Sequence, residues 1–410
     1  MASAVTRSGL LAARAGGRSG GNIFAATTAM ANACGSVNLG QGFPSFATPE
    51  FVNECAKDAI GDHNQYTRPG GNPALVEVIG KMYSPLLGRE IDPMSQVSVS
   101  AGAQEGIFNI LATFCDPGEE VVCVEPYFDA YKKAADMAGA KVKGVPLRLP
   151  EGSTSAGDFK LDIDELDSTL SDKTKLLILN TPHNPTGKVF DKTELNDVAE
   201  VVKRYPDLLV LSDEVYEFMC FDGLKHERFA TIEGMWDRTI SLFSAGKTFS
   251  CTGWRVGYCI GPDHLIQPLI DTQGIVSFCA PSPLQVAVAK ALESGQRLGY
   301  YEDLARTLER KRDVLCSALR QGGLEPVVPQ GGYFVMANTS SLPIQGTDST
   351  ARDVAANEWL TKELGVTGIA TSHFYSPENK SLSDNFIRLA YCKTDAELHQ
   401  ASQRITKTKD

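Results

Sequence analysis

Residues 239–247 read TISLFSAGK: an apolar run that ends at a small-residue turn and delivers a lysine, Lys247. The same design recurs on either side. Val121–Glu125 leads to Pro126 and Tyr127, Leu176–Asn180 to a turn holding Asn184, and Leu208–Asp213 to Glu-Val-Tyr216. Lys141–Leu147 and Val256–Gly261 are further short apolar runs. Helix-like stretches separate several of them, such as Glu194–Tyr205 with Leu195, Val198, Val201 and Val202 in helical register. Strands that are apolar throughout and alternate with helices predict an α/β fold with a mostly parallel sheet covered on both faces.

Near Ser282 the pattern changes. Long helical segments, Leu284–Glu293 and Tyr300–Arg320, precede short strands at Tyr333–Ala337, Val366–Ala370 and Phe386–Tyr391. The expected division is a flexible arm over 1–21, a segment 22–46 packing with the small domain, a large domain over 47–300 and a small α+β domain over 301–410. The net charge of −11 argues against a nucleic-acid partner, whose phosphates need a basic face. No apolar run is long enough to span a bilayer. Ten cysteines without a Cys-x-x-Cys pair read as buried reduced thiols, and six histidines show no metal-ligand spacing. Residues 1–20 contain three arginines and no acid, the composition of a transit peptide. The cytoplasm is the expected compartment, with the mitochondrion as the alternative that this stretch raises.

In open α/β sheets, ligands bind beyond the carboxyl ends of the strands. Here those ends bring an aromatic ring (Tyr127), an amide (Asn184), a carboxylate with a phenol (Asp213, Tyr216) and an amine (Lys247). Ser98–Ala101 runs into Gly102-Ala103-Gln104, which opens a helix-like run and suits a phosphate. Each residue alone has a plain alternative: Asp213 a helix cap, Asn184 a turn, Arg388 a surface ion pair, Lys247 a solvated end. Together they meet the needs of pyridoxal 5′-phosphate, an electron sink for a carbanion at a substrate α-carbon. Lys247 is the amine that bonds its aldehyde and shuttles the proton. Asp213 faces its pyridine nitrogen. Tyr216 and Asn184 donate to its phenolic oxygen. Ala103 and Gln104 offer backbone amides, Ser244 and Arg255 complete the phosphate cup, and Tyr127 stacks on the ring. Arg388, in FIRLAY, is the candidate anchor for the substrate α-carboxylate.

At this point the chain resembles a known family. SAGKTFSCTGWRVG resembles the lysine signature of class I/II pyridoxal-phosphate aminotransferases of fold type I, with Cys251 where the family usually has an aliphatic residue. NLGQGFPSF, NQYTRPGG, EPYFDAY, LNTPHNPTGK, SDEVYEFM and HFYSPE with FIRLAYCK resemble one subgroup. It comprises kynurenine aminotransferases, also called glutamine transaminase K, which often act as cysteine-S-conjugate β-lyases. The resemblance runs from about Asn22 to about Leu398. It implies a large domain with a mostly parallel seven-stranded sheet and a homodimer with active sites at the interface. It places Tyr66 at the partner's cofactor phosphate and the backbone of Gly40 at the substrate carboxylate. It places Phe24, Phe278 and Phe374 as apolar contacts to the side chain; many members have an indole at the position of Phe24.

The activity expected is transfer of an amino group from kynurenine, glutamine, methionine or an aromatic amino acid to a 2-oxo acid. β-Elimination from cysteine-S-conjugates on the same site is the alternative. A ligand-sensing regulator would need a DNA-binding domain, for which about 20 residues are too few. A nicotinamide dehydrogenase would need a glycine fingerprint that Gly40-Gln-Gly42 does not supply. No motif supplies a second arginine for a distal carboxylate, so neutral or aromatic substrates are expected over acidic ones.

Overall fold

The computed structural model describes residues 23–344 and 350–407. The arm expected over 1–21, and the presequence reading with it, lies outside the described residues. Eight strands form the large sheet, in the spatial order Val97–Ser100, Gly257–Ile260, Thr239–Ser244, Leu209–Asp213, Thr174–Asn180, Glu120–Glu125, Lys141–Arg148 and Lys160–Leu161. Seven of these make up the expected sheet. The eighth, two residues long, extends its edge antiparallel to Lys141–Arg148. From Thr239–Ser244 to Lys141–Arg148 every pairing is parallel, whereas Gly257–Ile260 runs against both neighbours.

The strands are apolar throughout because both faces are covered. Along Thr174–Asn180, Leu176 and Ile178 join one apolar cluster while Leu177 and Leu179 join another. Successive side chains of a strand point to opposite faces. Helix Ala103–Phe114 presses Ile107, Ile110 and Leu111 into the first cluster. Helix Lys192–Val202 presses Leu195, Val198, Val201 and Val202 into the second. Each such side chain, fully buried, contributes about 1.5–3 kcal/mol. The second helix starts at Asp191, whose carboxylate accepts from Glu194 N while the Glu194 side chain accepts from Asp191 N.

A smaller antiparallel sheet follows, in the order Glu325–Val327, Phe334–Asn338, Phe386–Ala390 and Ile369–Ala370. Helices Tyr300–Gln321 and Asp395–Thr406 pack beside it. The strand expected over Val366–Ala370 is split at Gly368. Val366–Thr367 pairs in parallel with Val37–Asn38, and Ile369–Ala370 pairs with Ile387 and Arg388. At Gly368 the Asn357 side chain takes the backbone N–H, and a Cβ would lie 2.9 Å from Arg388 O. The segment after helix Ile23–Cys34 is held by the C-terminal part of the chain: Ala390 N donates to Leu39 O at 2.6 Å, and Lys393 Nζ donates to the carbonyls of Gln41 and Phe43.

Register sets where the site lies. Asn180 pairs with Asp213, and Asp213 with Leu242. Two residues further, Ser244 pairs with Gly257, which pairs with Ser100. One row across the carboxyl end of the sheet therefore presents Asn180, Asp213, Ser244 and the start of helix Ala103–Phe114.

Candidate active site

A cavity of about 250 Å³ opens over that row. Asn184, Asp213, Tyr216, Ser244, Lys247 and Arg255 line it, with Ala103 and Gln104 at one end and Phe24 and Arg388 at the other. Ten of the residues read from the sequence thus converge on one space, although 364 positions separate Phe24 from Arg388 (388 − 24).

The end at Ala103 is built for an anion. The first N–H groups of a helix have no intrahelical partner and carry the positive end of its dipole. Arg255 lies against this start, its Nη2 donating to Ala101 O at 3.1 Å and its Nη1 to Thr252 O at 3.0 Å. Glycine is required for that approach. Gly102 has φ 87°, and a Cβ there would sit 2.2 Å from Arg255 Nη2.

At the middle of the row Asp213 is buried, and the Tyr131 hydroxyl donates to its Oδ2 at 2.6 Å. Asn180 Nδ2 donates to the Asp213 carbonyl at 2.9 Å and fixes the backbone. Burial pushes the Asp213 carboxyl up to about 6, against the lowering pull of Tyr131, the Val215 N–H and Lys247. A cation facing it from the cavity would restore the ionised form. Lys247 stands on the short helix Ala245–Thr248, directly after strand Thr239–Ser244. Its Nζ donates to Tyr333 Oη at 2.7 Å and to Gly42 O at 3.2 Å. Burial pushes this amine down to about 8, with Arg388 and Arg255 adding to the effect and Cys392 and Asp213 opposing it.

Arg388, 1% exposed, closes the far end. It donates through Nη1 to Asn184 Oδ1 and through Nη2 to Gly40 O, both at 3.0 Å, while its buried Nε has no partner. The rings of Phe334, Phe374 and Phe24 lie 4.1, 4.9 and 5.8 Å from its Cζ. Among the described residues no carboxylate forms a salt bridge with it. Burial lowers its guanidinium to about 10, still charged at neutral pH. A buried cation without an anion is costly, so this end of the cavity suits an anionic group.

Three expectations need correction. Tyr127 does not face the cavity: it is 3% exposed and packed in the core, with its N–H donating to Phe374 O. The next residue, Phe128, lines the cavity instead, because successive residues of an extended segment point to opposite sides. Gly40 offers no N–H, which donates to Asn38 Oδ1; its carbonyl supports Arg388. Phe374 is fully buried behind Arg388 and does not line the cavity. Tyr66, expected at the partner's cofactor, and Phe278 lie together on the surface of this chain. They are 82% and 46% exposed and pack edge to face on each other, with centroids 5.1 Å apart. Sequence reasoning missed Tyr131, Phe128, Tyr333 and Phe334. Only the first two carried a signal, an aromatic pair three residues apart beside a strand end.

The segment Asp213-Glu-Val-Tyr-Glu217 has a second side. Arg228, buried, bridges Glu214 Oε2 at 2.6 Å and Glu217 Oε2, and the Tyr83 hydroxyl donates to Glu217 Oε1. Despite burial, His226 and Arg228 hold the Glu214 carboxyl down at about 2, while burial outweighs Arg228 at Glu217 and raises it. Replacing Arg228 by leucine leaves two buried carboxylates without their shared guanidinium. Urea unfolding is expected to show a loss of about 3–5 kcal/mol; a loss under about 1 kcal/mol contradicts a clamping role.

No group of acidic, histidine or cysteine side chains among the described residues could hold a metal ion. All ten cysteines are free. No helix among the described residues is long and apolar enough to cross a membrane.

The model of the family described as aminotransferase class I and II matches residues 35–405. A kynurenine–oxoglutarate transaminase of Dictyostelium discoideum is 44% identical over 395 residues, 91% of each chain. Kynurenine–oxoglutarate transaminase 3 of Homo sapiens is 39% identical over 402 residues, 94% of this chain and 87% of its own. The crystal structure of Bna3p from Saccharomyces cerevisiae superposes with a TM-score of 0.91 at 31% identity, covering 95% of this chain and 96% of that one.

Proposed function

Because the chain belongs to the class I and II aminotransferases, we infer that its cavity holds pyridoxal 5′-phosphate and that its amino donors are neutral or aromatic amino acids, kynurenine among them, with a 2-oxo acid as acceptor. The observation that carries this reading is Arg388, a buried guanidinium at one end of a cavity whose other end is a helix start with Arg255. One end suits an α-carboxylate and the other a phosphate. The residues between them fit the rest of the cofactor.

Bound there, pyridoxal phosphate supplies an electron sink for the carbanion left when the α-proton departs. Asp213, held in place by Tyr131, would keep a proton on the pyridine nitrogen. Tyr216 and the amide of Asn184 donate to the phenolic oxygen; Asn184 has its Oδ1 already committed to Arg388. Phe128, which lines the cavity, would supply the aromatic face for the ring that Tyr127 was expected to supply. Arg388 fixes the substrate carboxylate, and so the α-proton is presented to Lys247. An amine near 8 is neutral far more often at neutral pH than an ordinary lysine, which suits a proton acceptor.

The donor class follows from what surrounds Arg388. Its neighbours are the rings of Phe24, Phe334 and Phe374, and among the described residues no third arginine lines the cavity beside Arg255 and Arg388. A distal carboxylate would be buried there without a partner. Kynurenine, glutamine, methionine and phenylalanine are expected to convert the bound cofactor with kcat/KM at least about tenfold above glutamate, a gap of about 1.4 kcal/mol. The half-reaction, followed by cofactor absorbance, measures this; glutamate as best donor overturns the donor class. The cofactor assignment has its own test. Borohydride reduction of the loaded enzyme should leave a pyridoxyl adduct on Lys247, and an adduct elsewhere, or none, ends it. The same reading makes the enzyme a homodimer in which a second copy covers exposed Tyr66 and Phe278.

A further inference from the structure

Tyr333 stands just before strand Phe334–Asn338, fully buried. Its hydroxyl donates to Gly42 O at 2.8 Å and accepts from Lys247 Nζ at 2.7 Å, while Lys247 Nζ also donates to Gly42 O. Amine, phenol and carbonyl close a triangle. A phenol has one proton to give. With that proton committed to Gly42, its lone pairs are turned to the lysine. The phenol itself cannot swing away: its backbone carbonyl accepts from Tyr391 N at 3.0 Å, and its ring packs edge to face on Tyr216 and on Phe334, centroids 4.9 and 4.8 Å apart. A tyrosine needed only for packing would not require its oxygen here.

The lysine, by contrast, has to move. On the cofactor reading it would bond the cofactor between turnovers, and its amine would have to be free to take the α-proton. We propose that Tyr333 is a positioning residue for Lys247: with Gly42 O it docks the amine whenever that amine is not bonded to cofactor, and so holds it ready for α-proton transfer. This rests on the cofactor reading given above. The dock draws on both ends of the chain, Gly42 from the N-terminal segment and Tyr333 from the small sheet, so the position of the base depends on the two being in place together.

The test uses Y333F, loaded with cofactor. Competitive acetylation by trace acetic anhydride, read on the Lys247 peptide by mass spectrometry, gives the pH midpoint of the free amine when the cofactor is in its amine form. The charged and titratable groups around Lys247 are Asp213, Arg388, Arg255, Cys392, Tyr216 and Tyr333, and of these only Tyr333 changes in the variant. The ammonium form loses one of two acceptors, so the midpoint is expected to fall by about one pH unit. The half-reaction is expected to slow about tenfold, with a larger isotope effect from an α-deuterated donor, because proton transfer becomes more rate-limiting. A merely structural role would lower cofactor content and leave both readouts alone. Y333L, which lacks the same hydroxyl, is read instead if Y333F does not fold. A borohydride adduct on Lys247 with midpoint and isotope effect unchanged overturns the Tyr333 assignment alone. No adduct on Lys247 in the wild-type enzyme overturns the cofactor reading and this inference with it.

Discussion

Lys247→Ala is expected to lower kcat by more than about 10⁴-fold, because one substitution removes both the general base and the covalent hold on the cofactor. The loss should be chemical rather than structural. Lys247 lies at the cavity, on a helix of four residues, and its Nζ partners are a phenol and a carbonyl that also bond each other. Nothing buried is left unpaired when it goes. Asp213, Arg255 and the start of helix Ala103–Phe114 remain, so cofactor should still bind without a covalent bond. The measurement pairs a single-turnover half-reaction with the absorbance of retained cofactor. Turnover near the wild-type rate in the alanine variant would remove Lys247 from the mechanism.

Asp213→Asn is expected to cost about 10²–10³-fold in kcat with little change in Tm, since it removes one preorganised charge from a buried site. The amide keeps an oxygen for the Tyr131 hydroxyl, and the backbone of residue 213 stays tied to Asn180. What is lost is the negative charge. Burial already pushes the Asp213 carboxyl up to about 6, so in the cofactor-free protein it protonates as pH falls through about 6. A cation bound opposite it moves that protonation to lower pH, and the loaded enzyme should keep its activity further into acid than the empty site suggests. Equal kcat in D213N and wild type would mean that the carboxylate does not face the cofactor.

Much of this site was legible because its residues sit where strands end, and strand ends can be read from short apolar runs. Asn184, Asp213, Ser244 and Lys247 all follow such runs. Arg388 was legible for a different reason, its place within FIRLAY in the late strand. What sequence reading missed depends on one-residue choices and distant contacts. Tyr127 and Phe128 are both aromatic and adjacent, and only the packed core decides which turns inward. Tyr333 meets Lys247 across 86 positions and carries no local mark. Helices Pro73–Leu87 and Asp263–Val276 have Pro85 and Pro268 inside them, which hides the helical signal. The small sheet was read as strands, but the break at Gly368, which sends one half to residues 37–38, follows from the crowding against Arg388.

That join has a consequence for how the molecule is made. Ser36 and Thr367, in contact through their hydroxyls, lie 331 positions apart, and Arg388 reaches Gly40 across 348. While the chain is being synthesised, the large sheet can form as its strands emerge. The backbone of residues 37–39 waits for Gly365, Thr367 and Ala390, in the last part of the chain to leave the ribosome. The substrate end of the pocket is therefore the final part to mature, and a chain terminated before residue 388 carries Lys247 and Asp213 without the means to orient an amino acid between them.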